Sequence, residues 1–255
     1  MKRLTSALIT LVFYLVSFPF PIVAQETASE IIAKMQEQQR GQSSYINMTM
    51  KVIRPDWTRT MQMKSWSKGT DDFFLVLVTS PAKDKGSSSL KRYKEMWSWT
   101  PSIERTIKIS PSMMSQAWMG SDFTNDDLMK GASVVKDYSH KLLGKETVHG
   151  LECYKIEMIP HEDAAVVWGK VLVWVTTDGI YNQIKVENYD EDMYLVNTLN
   201  CFDVKEMGGR TMPTRMEMVP ADEEGKKTVM IYNEAKYNQK INENFFTQQN
   251  MKRVR

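Results

Sequence analysis

Two cysteines and three histidines in 255 residues leave little from which to build a reactive centre. His140, His149 and His161 have neither helical pair spacing nor an HExxH pattern, so the usual protein zinc sets are not written into the chain. No GxSxG elbow, Walker loop or GxGxxG turn is present. Those are the local signatures of an activated serine, a phosphate cradle and a dinucleotide site. Asp178-Gly179 and the stretch DEEGKK at 222–227 read as turns, without the alternating oxygens of an EF-hand loop. The expectation is a non-enzyme: no catalytic residue, no metal ligand, no cofactor.

Charge of one sign is also missing. Lys+Arg number 33 against 31 Asp+Glu, and a chain this balanced has no basic footprint for nucleic acid. Apolar runs of the ~20 residues needed to span a bilayer are absent as well. The one run near the start, Leu8 to Val16, follows Lys2 and Arg3 and is broken by Pro19 and Pro21 before the small residue Ala24. This is the pattern of a secretory signal peptide. The expected organisation is a signal peptide over 1–24 and one domain over 25–255, exported and soluble. Export to an oxidising compartment permits a disulfide between Cys153 and Cys201. Both lie in strand-like sequence, where burial as small apolar side chains is the other reading.

Methionine is what the chain has in quantity: 19 residues, alongside seven tryptophans. The stretch TASEIIAKMQEQQRG predicts one amphipathic helix, with Thr27 and Glu30 as a capping box and Gly41 as its stop. From there the apolar period falls to two, the mark of half-buried strands. Met48 and Met50 share a face on one strand, Trp57, Met61 and Met63 on the next, and Trp97 and Trp99 on another. Met216 and Met218 pair near the end of the chain. The segment WGKVLVWVT (168–176) is apolar on both faces, so one face should line the interior and the other be covered by the N-terminal helix or a partner. The segment NENFFTQQNM predicts a short terminal helix. The count is about ten or eleven strands with an irregular middle over roughly 110–150. A meander that long must curl or close to protect its edges.

Inside that irregular middle sits WMGSDFTNDDLMKG, Trp118 to Gly131. Its acids suit a helix start: Thr124 and Asp127 form a capping box, and Phe123 and Leu128 the hydrophobic staple around it. A carboxylate pair for acid–base work is the competing reading, and it lacks a histidine or metal partner. Trp118, Met119, Phe123 and Leu128 give the segment an apolar side that suits a lid over a greasy interior.

At SPAKDKGSSSLKRYKEMWSWTPSIERTIKIS, followed by WMGSDFTNDDL, the chain resembles the outer-membrane lipoprotein-sorting protein family, the LolA-like carriers of the bacterial periplasm. Pro81, Gly86, Leu90, Trp97, Pro101, Arg105 and Ile109 carry the likeness. So do Gly120-Ser121-Asp122-Phe123 with Asp127-Leu128, and Gly150, Cys153 and Tyr154 in HGLECYKIEMIP. The resemblance implies a mainly β fold: an unclosed antiparallel barrel with an N-terminal helix and short lid helices. It implies a monomeric periplasmic carrier for the acyl chains of a lipoprotein or lipid. The donor would be an inner-membrane transporter of the RND/MMPL or lipoprotein-releasing ABC type, and the direction would be toward the outer membrane. The groove predicted from the residues comprises Met48, Met50, Trp57, Met61, Met63, Trp97, Trp99, Met216 and Met218. Its lid comprises Trp118, Met119, Phe123 and Leu128. A sensor or scaffold that recognises lipid or lipoprotein and regulates a membrane partner is the alternative of a different class.

Overall fold

Period-two alternation becomes strand after strand of one antiparallel sheet. The computed structural model describes residues 26–69, 72–129, 133–164 and 166–255, with the side chains of 128, 129 and 133 left aside. The predicted signal peptide lies outside the described residues. A helix, α1 (Ala28–Arg40), leads into β1 (Ser43–Arg54), β2 (Trp57–Lys68), β3 (Phe73–Ser80), β4 (Ser88–Arg92), β5 (Glu95–Thr100) and β6 (Arg105–Lys108). A crossing segment with the short helix α2 (Asn125–Met129) leads to β7 (Tyr138–Val148), β8 (Leu151–Pro160), β9 (Lys170–Thr176) and β10 (Gln183–Tyr189). Then follow β11 (Leu195–Met207), β12 (Arg210–Pro220), β13 (Lys227–Tyr237) and a last turn of helix, α3 (Gln248–Met251).

The sheet has 13 strands in the order β6-β5-β4-β3-β2-β1-β13-β12-β11-β10-β9-β8-β7. Pairing of β1 with β13 joins the two halves, and β6 and β7 remain as the two edges. The fold is therefore mainly β and unclosed, a half-barrel. Its strand number exceeds the ten or eleven expected, for two reasons. The stretch around Trp97 and Trp99, counted as a single strand, is half of a hairpin, β4–β5, turning at Tyr93 with φ of 54°. The stretch 138–148, placed in the irregular middle, is the edge strand β7.

Residues directly opposite one another in an antiparallel ladder share a face, so the registers assign the two faces without ambiguity. One face carries the row Cys201, Met216, Met230, Met50, Met61 across five neighbouring strands. A parallel row runs Met218, Leu199, Val186, Val173, Ile156. This face is concave: α1 packs on it through the fully buried Ile31 and Ile32 and through Met35. The opposite face of β2 to β5 is covered by the chain terminus, where Phe246, Met251 and Val254 pack on Phe73, Leu75, Leu77 and Leu90. The strand read as apolar on both sides follows the same logic. Val171, Val173 and Val175 lie under α1's side of the sheet. Trp174 is buried on the other side with Cys153 and Ile184. Lys155 and Lys185 lie over the Trp174 ring at 5.0 and 4.5 Å, and its Nε1 donates to Glu146 at 2.7 Å.

The two cysteines are free and buried. Cys201 stands on the concave face and Cys153 on the convex one, so the reading as small buried side chains holds and the disulfide does not form.

Candidate functional site: a methionine-walled hollow

The topology dictates what covers the concave face. The segment joining β6 to β7 must travel from one edge of the sheet to the other, and its described residues, 109–129 and 133–137, lie along that crossing. Met119 (φ 51°) and Gly120 (φ 70°) adopt left-handed backbone at its tightest turn, a conformation glycine takes at no steric cost. The turn is closed by Trp118 N–H to the Phe123 carbonyl (2.8 Å) and by Ser121 Oγ to the Trp118 carbonyl (2.7 Å). The predicted capping box is present: Asp127 N–H donates to Thr124 Oγ1 at 3.1 Å, and Thr124 N–H to Asp127 Oδ2 at 2.8 Å.

Asp122 bolts this segment to the sheet. Its Oδ1 accepts from Arg54 Nη2 at 2.9 Å, and its Oδ2 from Arg54 Nη1 at 3.1 Å and Thr228 Oγ1 at 2.6 Å. Arg59 adds a bond to the Met119 carbonyl. The fork-to-fork Arg–carboxylate geometry is the strong kind of ion pair, and both side chains are largely buried. Trp118 and Phe123 are driven into the concave core with Met119 partly buried beside them. The described side chains of the predicted lid are thus packed in the core beside the hollow, where Phe123 lines it. The side chain of Leu128, the fourth lid residue, lies outside the described residues.

Beside Phe123 a cavity of about 320 Å³ remains, walled by the sheet, by α1 and by the crossing segment. Of the nine predicted groove residues, Met48, Met216 and Met218 line it. Met50, Met61 and Met63 share the face but are fully buried, packed in the core with Trp118 and Phe123. Trp57 stands at the β1–β2 hairpin tip, 51% exposed, with Arg54 over its ring. Trp97 and Trp99 are corrected more sharply: their register with Leu90 and Ser88 puts them on the convex face, packed with the chain terminus. Alternation told which residues share a face on each strand. It could not tell which of the two faces turns inward.

Sequence reasoning missed Met35, Cys201, Met212, Met230, Tyr232 and Leu199, which also line the cavity. Met230 and Cys201 flank Met216 in register, so cross-strand pairing was the signal that would have found them. Polar groups cluster where Asp126, Asp127 and Trp168 meet the hollow. Burial raises the Asp127 carboxyl above its ordinary range, against the opposing pull of its bonds from Thr124 and Trp168. Burial likewise pushes the Cys201 thiol up to about 12, so it is a wall and not a nucleophile. No group of three or more His, Cys, Asp or Glu with metal-holding geometry is found among the described residues. Chemically, such a site can exclude water from an apolar ligand.

The unclosed antiparallel half-barrel is similar in fold to solved LolA superfamily and lipoprotein-sorting proteins. A LolA superfamily protein from Nitrosomonas europaea superposes with a TM-score of 0.75 at 26% identity, covering 88% of this chain and 99% of that one. An outer membrane lipoprotein-sorting protein domain from Vibrio parahaemolyticus gives 0.76 at 24% identity, covering 87% and 97%. A DUF1329 family protein from Desulfovibrio piger gives 0.80 at 24% identity, covering 88% and 97%. No curated protein matches the sequence. The model of a family described as "Uncharacterized protein" matches residues 70–253, and the chain belongs to that family.

Proposed function

We propose that the protein is a periplasmic carrier that holds the acyl chain of a lipid or lipoprotein in the methionine-walled hollow. In this reading it is not an enzyme, and it moves its cargo from an inner-membrane transporter, of the RND/MMPL or ABC type, toward the outer membrane. Residues 1–24 are its export signal and 25–255 its single working domain. The observation that supports the reading best is the cavity itself, on the concave face beneath α1. Each CH₂ group withdrawn from water gains about 0.8 kcal/mol, so a carrier needs a dry trough. Thioether walls repack around chains of different shape more readily than branched aliphatics do. The fold shared with lipoprotein-sorting relatives supports the same reading.

Titration with a fluorescent fatty-acid probe tests it. The wild type should bind with saturable stoichiometry, and Met216→Glu, which sets a carboxylate in the wall, should abolish binding while the chain stays folded by circular dichroism. Equal binding by the two proteins would place the probe elsewhere and defeat the proposal.

A further inference from the structure

A second, larger cavity of about 1050 Å³ adjoins the hollow. Its lining comes from α1, from Asp72 just before β3, from β4–β5 and the turn between them, from residues after β6, from residues before β7 and from the loop after β8. It therefore occupies the open seam between the two edges of the sheet. The two cavities share a wall residue by residue. Met35 lines the inner and Gln36 the outer, Val134 the inner and Val135 the outer, Trp168 the inner and Val167 the outer. Phe74 of the inner cavity is the cross-strand partner of Lys91 of the outer one.

The chemistry changes across that wall. The inner hollow is mainly apolar, with methionine, aliphatic and aromatic side chains, and polar groups such as Asp127 and Asn188 occupy only part of its lining. The outer chamber carries both signs of charge, with Lys94 and Lys136 in the same lining as Glu37, Asp72, Asp137, Asp163 and His161. A purely anionic group there would meet the carboxylates, and a purely cationic one the lysines. A group with both charges finds partners for each. The inner volume is also restrictive, since about 320 Å³ stands at the low end of the ~300–1,000 Å³ usual for small-molecule sites. That is room for one hydrocarbon tail, not several.

We infer that the ligand is a single-chain amphiphile with a zwitterionic head, its tail in the inner hollow and its head in the outer chamber. The inference rests on the carrier reading and narrows it to a substrate class. Amphiphiles with one dodecyl tail and different heads separate the two. Dodecylphosphocholine, dodecyl phosphate, dodecyltrimethylammonium and dodecanol are titrated calorimetrically into the signal-free chain below their micelle concentrations, with didodecyl phosphocholine as the two-tailed control. The expected result is dodecylphosphocholine tighter than every other ligand by at least about tenfold. Lys94→Glu, at an exposed position, should move the preference toward dodecyltrimethylammonium, and Asp163→Lys toward dodecyl phosphate. Equal affinity for all four heads, an anion or cation in first place, or a two-tailed ligand binding as well as the single-tailed one would overturn the inference and leave the carrier reading standing. If a triacylated lipopeptide binds and no dodecyl compound does, the ligand class is wrong while the carrier survives. If nothing with a hydrocarbon tail binds, both fall.

Discussion

Asp122 ties together three stretches of chain that are distant in sequence. Its partners Arg54 and Thr228 stand 68 and 106 residues away. Removing one member of a largely buried, hydrogen-bonded pair strands the other, at a cost of several kcal/mol. Asp122→Ala should therefore lose about 3 kcal/mol in urea unfolding, and a loss below about 0.5 kcal/mol would show that the bond does not hold the crossing segment. The sequence displayed the local part of this arrangement and hid the rest. Thr124 and Asp127 could be recognised as a capping box because both partners lie within one turn. Asp122 looked like a third acid in a cluster because nothing nearby names Arg54. The cysteines make a second prediction at this scale. With Cys153 and Cys201 on opposite faces of the sheet and both thiols raised by burial, to about 11 and about 12, a thiol reagent should find none in the native protein and two after unfolding. Two missing thiols after unfolding would mean a disulfide and contradict the register.

At the scale of elements, α1 is fastened at both ends. Thr27 and Glu30 form the reciprocal cap expected from the sequence, and Arg210 donates to the Glu37 and Gln38 carbonyls at the other end, at 2.6 and 2.8 Å. Ser29 also bonds His140 Nδ1 at 3.0 Å, while His140 Nε2 lies 2.7 Å from the Val134 carbonyl. A carbonyl only accepts, so Nε2 carries the proton and Nδ1 takes the serine hydroxyl, an arrangement that suits the neutral ring. Burial lowers the His140 pKa below 6.5, outweighing the Val134 bond, which raises it, and His161 lowers it further. The unfolded chain therefore binds a proton that the folded chain resists. Stability contributed by this site should be complete well above pH 6.5 and should decline as the pH falls through that value. His140→Gln should flatten that part of the melting-temperature profile against pH. An unchanged slope would assign the pH dependence to other groups. β7, to which His140 belongs, was not legible as a strand because edge strands carry the charges and glycines that discourage pairing with strangers. Its Lys141, Lys145, Glu146 and Gly144 read as loop for that reason. The β4–β5 turn escaped for a different one: Tyr93, with its positive φ, is not a residue that announces a turn.

For the whole molecule, one consequence of topology organises everything else. A sheet whose chain leaves one edge and must resume at the other carries its own cover, and the covering segment packs Trp118 and Phe123 into the concave core beside the hollow. The unclosed half-barrel was what the family resemblance implied, while most strands, the N-terminal helix and the methionine pairs within single strands were legible because alternation and helix capping are local patterns. The inward direction of the sheet was not, because it depends on which face the crossover and α1 select, and so Trp97 and Trp99 were placed on the wrong side. The cavity's position beneath α1 and beside the crossing segment follows from those long-range choices alone. Native mass spectrometry of the protein taken from its own compartment, followed by organic extraction, tests the central claim most directly. The account predicts a folded species carrying one bound amphiphile that extraction releases. A homogeneous ligand-free species that also takes up no dodecyl compound would contradict it.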